Sequence, residues 1–61
     1  MRMYVAIYDD VIVSCHKTKL GAMKSLMEYA GLTKSQMKEI IDNDQDFTRL
    51  DEDARIEQSV R

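Results

Sequence analysis

Residues 3–8 (Met-Tyr-Val-Ala-Ile-Tyr) and 11–16 (Val-Ile-Val-Ser-Cys-His) are two short runs rich in Val, Ile and Tyr, the composition that strands favour. Asp9-Asp10 separates them; a two-residue turn at that point predicts a β-hairpin with Tyr8 opposite Val11, and the absence of the usual glycine leaves a longer loop as the alternative. The register places Tyr4, Ala6, Tyr8, Val11, Val13 and Cys15 on one face, and Met3, Val5, Ile7, Ile12, Ser14 and His16 on the other. Both faces are apolar. A short chain covers one such face with its own helices but hardly two, so the hairpin predicts an uncovered face open to a partner. The Met3, Val5, Ile7 and Ile12 face is expected to meet the helices, leaving the tyrosine face partly exposed.

The period then changes to that of helices. Leu20, Met23, Leu26, Met27 and Ala30 form one apolar stripe, with Thr18 as N-cap and Gly31 just past the end. A second helix starts at the capping box Thr33-Lys-Ser-Gln36, with Leu32 stapling onto Met37. Met37, Ile40 and Ile41 are its apolar face, and it is expected to fade near Asp42–Asp44, where acids oppose the negative end of the helix dipole. Residues 42–53 read as an acidic connector. In residues 54–61, Ile56 and Val60 alternate with Arg55, Glu57 and Arg61 as in a strand. A helix with an acidic first turn is the alternative, but an isolated hairpin is poorly stable and favours a third strand. The expected fold is α+β in the order ββααβ: a small antiparallel sheet, the hairpin plus a C-terminal strand, packed on two short helices within one domain, residues 1–61.

Length adds a constraint. A chain of 61 residues buries only roughly 60% of the surface that its unfolded form exposes, and such folds gain from a disulfide, a metal or a partner. Cys15 is the single cysteine, which excludes an internal disulfide. A lone thiol, with no segment resembling a signal peptide or a membrane-spanning helix, points to a cytoplasmic protein away from membranes. The net charge of −2 conceals a split. Residues 2–38 hold six cations against three acids, and residues 39–61 hold eight acids against three cations. A split of this kind can orient a partner or support head-to-tail self-association.

Candidate chemistry is sparse. Cys15 and His16 are neighbours, so in a strand they point to opposite faces and cannot act as nucleophile and base. Cys15 is expected to be a small buried hydrophobe and His16 a surface or partly packed residue. Asp9 and Asp10 lie in an exposed turn, and the only glycines, Gly21 and Gly31, make no phosphate-binding loop. No enzymatic role, cofactor or metal site is expected.

Two stretches resemble known motifs. Residues 26–40, Leu-Met-Glu-Tyr-Ala-Gly-Leu-Thr-Lys-Ser-Gln-Met-Lys-Glu-Ile, resemble the helix-turn-helix of bacterial repressors. That resemblance implies Gly31 in the turn, Leu32, Met37 and Ile40 inward, and Thr33, Lys34, Ser35 and Lys38 on a DNA-reading surface. The small residue usual in the first helix is Met27 here, and a third helix and a basic balance are lacking. Residues 42–53 resemble an EF-hand loop, with aspartates at loop positions one, three, five and twelve. Phe47 stands where that family needs glycine, and Asp53 replaces its glutamate. In style alone, a tiny proline-free domain resembles the small host-modulating proteins of phages and mobile elements.

These readings converge on a small protein-binding regulator, in style a phage- or mobile-element-type inhibitor or adaptor. Its partner-binding residues are expected to be Tyr4, Tyr8 and Val13 as amphipathic anchors and Asp42, Asp44 and Asp46 as charge complement. A homodimer through the same sheet face is a close variant. DNA binding through Thr33, Lys34, Ser35 and Lys38 is the alternative function.

Overall fold

The computed structural model describes residues 2–60, apart from the side chain of Val60. The hairpin strands are β1 (Arg2–Tyr8) and β2 (Val11–His16). They are followed by α1 (Lys19–Tyr29), α2 (Lys34–Asp42), a one-turn α3 (Phe47–Leu50) and β3 (Ala54–Val60). The sheet is antiparallel in the order β2-β1-β3. The α+β order ββααβ is present, with α3 as an addition inside the expected connector. The C-terminal segment is a strand; Arg61, included in that expectation, lies outside the described residues.

The hairpin turn is the two-residue turn expected, with Tyr8 opposite Val11 and Ile7 opposite Ile12. Asp9 (φ 50°) and Asp10 (φ 64°) are both left-handed, as a type I′ turn requires. The register then breaks: Ala6 pairs with Ser14, Val5 with Cys15 and Tyr4 with His16. Val13 is therefore an extra residue, a β-bulge that reverses the in-and-out alternation of the rest of β2. On the far side of β1, Tyr4 pairs with Gln58, Ala6 with Ile56 and Tyr8 with Ala54.

The helices cover the tyrosine face, not the valine and isoleucine face expected to meet them. The core consists of Ala6, Ala22, Met23, Leu26, Met27, Phe47 and Ala54, with Tyr4, Tyr8, Val13 and Ile56 packed against it. The reason is steric. Ala6 and Ala22 are completely buried and Ala54 nearly so, and such small side chains let α1 approach the centre of the sheet. Two consequences correct the sequence reading. Tyr4, Tyr8 and Val13 are not outer anchors, and the bulge turns Cys15 outward, where it is exposed.

Both helix ends follow the local chemistry. Thr18 Oγ1 accepts from the Gly21 amide at the start of α1. At its end, the Leu32 amide donates to Met27 O and the Gly31 amide to Glu28 O, with Gly31 at φ 88°, a Schellman cap. Thr33 and Gln36 form the expected capping box of α2. That helix ends at Asp42 through the same kind of cap, but Asp44 occupies the left-handed position at φ 54°. Phe47 of α3 is buried and ties residues 42–53 to the core, so that segment is no simple connector.

Two stability predictions follow from these positions. In urea unfolding, Phe47→Ala is expected to cost roughly 3–5 kcal/mol, a large part of what so small a domain has, while exposed Leu50→Ala stays within about 0.5 kcal/mol. Asp44→Gly relieves a left-handed residue and removes a negative charge from a helix C-terminus, gaining roughly 0.5 kcal/mol. Gly31→Ala at the matching position of α1 loses about 1 kcal/mol.

Candidate functional site

The side chains opposite the helices line up in rows across the three strands. Ile12, Ile7 and Arg55 form one row, and Cys15, Val5 and Glu57 the next. Ile7 is only 6% exposed yet lies outside the core cluster; it is shielded on the outer face between its cross-strand neighbours. Ile12 is 68% exposed, although it sits beside Ile7 in the centre of an apolar stripe. Arg55 and Glu57, 3.4 Å apart, edge the stripe along β3. The helices thus leave this outer face open instead of the tyrosine face, and its exposed apolar surface is carried by Ile12, with Val5 half-buried and Ile7 shielded.

On the inner face the bulge creates a polar cross-link that sequence reading missed. His16 Nε2 lies 2.8 Å from Ser14 Oγ and 2.6 Å from Ser25 Oγ of α1. Gly21 permits this contact: a Cβ there would stand 3.1 Å from His16 Nδ1. The His16 nitrogen is shared between a hydroxyl on its own strand and one on α1. Its evident work is to clamp α1 to β2. No local signal could reveal it, because Ser14 and His16 reach the inner face only through the bulge.

The acidic segment is engaged in structure more than expected. Asp46 Oδ1 accepts from both the amide and the hydroxyl of Thr48. These bonds, with Lys19 and Arg49 nearby, hold its pKa below the usual carboxylate value against the opposing effect of burial. The Tyr8 hydroxyl donates to Asp51 Oδ2 at 2.7 Å, and Asp51 Oδ1 accepts from the Asp53 amide. That hydrogen bond, then partial burial and the charges of Asp51, Asp53 and Asp9, push the Tyr8 pKa up to about 12. The Tyr8 ring also packs on Tyr29, with centroids 5.5 Å apart. Asp42 and Asp44 remain exposed, while Asp46 is half-buried; Asp44 and Asp46 line one shallow depression with Lys19, Leu20 and Met23. The EF-hand resemblance does not extend to geometry: α3 interrupts the loop, and among the described residues no group of three or more potential ligands could hold a metal ion.

Thr33, Lys34, Ser35 and Lys38 are all exposed at the start and outer side of α2. Lys34 and Lys38 join Lys24 and Glu28 of α1, with Met37 and Ile41, in an open groove of about 390 Å³. Leu32, Met37, Ile40 and Ile41 are half-buried against the core, so α2 rests on the domain by one narrow stripe. Among the described residues, no helix is long and apolar enough to cross a membrane. No family model, curated protein or solved structure matches this chain.

The two shifted groups predict how stability depends on pH. Tyr8 has a raised folded pKa, so its contribution is complete below about pH 10, its unfolded value, and is lost as pH rises through about 12. Asp46 has a lowered folded pKa, so its contribution is complete above the normal carboxylate range and is lost on acidification. Urea midpoints against pH should therefore fall at both extremes. Asp51→Asn should flatten the alkaline fall and bring the high phenolate transition, followed by ultraviolet absorbance, back toward 10.

Proposed function

We propose that the protein is a non-enzymatic protein-binding regulator that engages its partner through the uncovered sheet face. It acts as an inhibitor or adaptor by occupying a partner's surface. The observation that carries this reading is Ile12, 68% exposed beside Ile7 and Val5 on a face that the helices leave open. An apolar centre edged by Arg55 and Glu57 has the anatomy of an interaction surface, with apolar contacts inside and charge at the rim. The exposed Cys15 thiol on the same face suits the reducing cytoplasm. DNA binding is a second reading, favoured by one observation: Lys24 extends the row of exposed Lys34 and Lys38.

One experiment separates the two readings. Affinity capture from source-cell lysate, with and without nuclease, is compared for the unchanged chain, Ile12→Asp and the double variant K34E/K38E. A protein recovered near stoichiometrically from both halves, and lost more than tenfold with Ile12→Asp, supports sheet-face binding. Stability should fall by about 1 kcal/mol in Ile12→Asp, because Asp is a poor strand residue and the cross-strand contact with Ile7 is lost, and urea unfolding of the variant checks that it remains folded. Nuclease-sensitive recovery, lost only in the lysine variant, overturns it in favour of DNA binding.

A further inference from the structure

Two other surfaces of the chain complement one another in charge and in apolar content. The first is the groove between α1 and α2, where Lys24, Lys34 and Lys38 surround Met37 and Ile41 and Glu28 is the one acid. The second is the projecting hairpin turn. Val11 there is 51% and Ile12 68% exposed, and Asp9, Asp10, Glu52 and Asp53 crowd around the turn with Arg55 as the one cation.

The fold makes little use of either set of charges. Among the described residues, no ion pair involves Lys24, Lys34 or Lys38. At the turn, Arg55 reaches Asp10 only at 3.9 Å between exposed side chains, a pairing that contributes little to stability. Exposed apolar side chains that directly follow Asp9 and Asp10, with Glu52 and Asp53 on the β3 side of the same turn, are the counterpart of an apolar-lined groove rimmed by three ammonium groups.

We propose that the hairpin turn of one copy docks in the α1–α2 groove of a second copy. Ile12 then meets Met37 and Ile41, and the acids of the turn meet the lysines of the groove. Apolar burial supplies most of the affinity, while charge orients the approach and excludes the wrong polarity. The contact is heterologous, since each copy contributes a different surface, so association continues beyond two copies until a ring closes or the concentration limits it. The proposal is independent of the sheet-face reading, with which it shares only Ile12 and Arg55, and its test leaves both residues unchanged.

Sedimentation velocity of the full chain, from micromolar to millimolar concentration, tests it at about 50 mM and about 500 mM salt, where screening differs severalfold. The unchanged chain should exceed twice its 7.1 kDa at low salt and return toward monomer at high salt. K34E/K38E and E52K/D53K, all at exposed positions, should each remain monomeric with an unchanged far-ultraviolet spectrum. The quadruple variant K34E/K38E/E52K/D53K, which exchanges the signs of both surfaces, should assemble again. A chain that is monomeric throughout overturns the proposal. So does a closed dimer indifferent to both charge changes, or a quadruple variant that stays monomeric.

Discussion

The close seating of α1 on the sheet is the constraint on which the rest of this structure depends. Ala6, Ala22 and Ala54 form the seam, and their small side chains permit an approach that larger ones would block. Leu26 and Met27, both fully buried, then fill the space on either side. Once α1 lies there, the face bearing Tyr4 and Tyr8 must be the inner one, because both flank Ala6 on β1. The tyrosine rings close the rim of the core. The Tyr8 hydroxyl escapes burial by reaching Asp51, which anchors the segment after α3 to the sheet.

The bulge at Val13 is the second device, and it serves the first. Without it, strict alternation would aim Cys15 inward and turn Ser14 and His16 away from the helix. With it, Ser14 and His16 come to the inner face, and His16 meets Ser25 over Gly21. The middle of α1 is thereby fixed to β2 by a polar clamp, while its C-terminal end is fixed to β1 by Tyr29 on Tyr8. A bulge also interrupts the free edge of β2, which limits indiscriminate strand pairing. The apolar surface left over is therefore confined to the outer face and the hairpin turn.

Charge is separated in space as well as in sequence. Several acids of residues 42–53 have structural work: Asp46 caps α3, and Asp51 binds both Tyr8 and the Asp53 amide. Glu52 and Asp53 lie with Asp9 and Asp10 around the hairpin turn, and three lysines gather around the groove between α1 and α2. The helices thus leave one sheet face open, and the lysine cluster and the acid cluster lie in separate surface depressions. Neither the outer face nor the groove contributes a side chain to the fully buried core cluster, although Met37 and Ile41 of the groove pack against it.

Local chemistry was legible in the sequence wherever it acts over a few residues. The two-residue turn at Asp9-Asp10, the Thr18 and Thr33 caps, the Gly31 terminus and the end of α2 at Asp42 all depend on neighbours within about one helical turn, and all were predicted. The third strand was legible too, from its alternation and from the instability of a bare hairpin. What the sequence did not reveal depends on residues far apart in the chain. Both hairpin faces are apolar, so hydrophobicity could not choose between them; the choice fell to three alanines at positions 6, 22 and 54, brought together only when helix and sheet pack. The bulge likewise has no signature in Val-Ile-Val-Ser-Cys-His. Phe47 gave no periodic signal within an acidic stretch, since a one-turn helix is too short to show one. Local pairing and capping energies act along the chain and leave a pattern in it, whereas the choice of face, the reversal at Val13 and the burial of Phe47 were decided by tertiary packing alone.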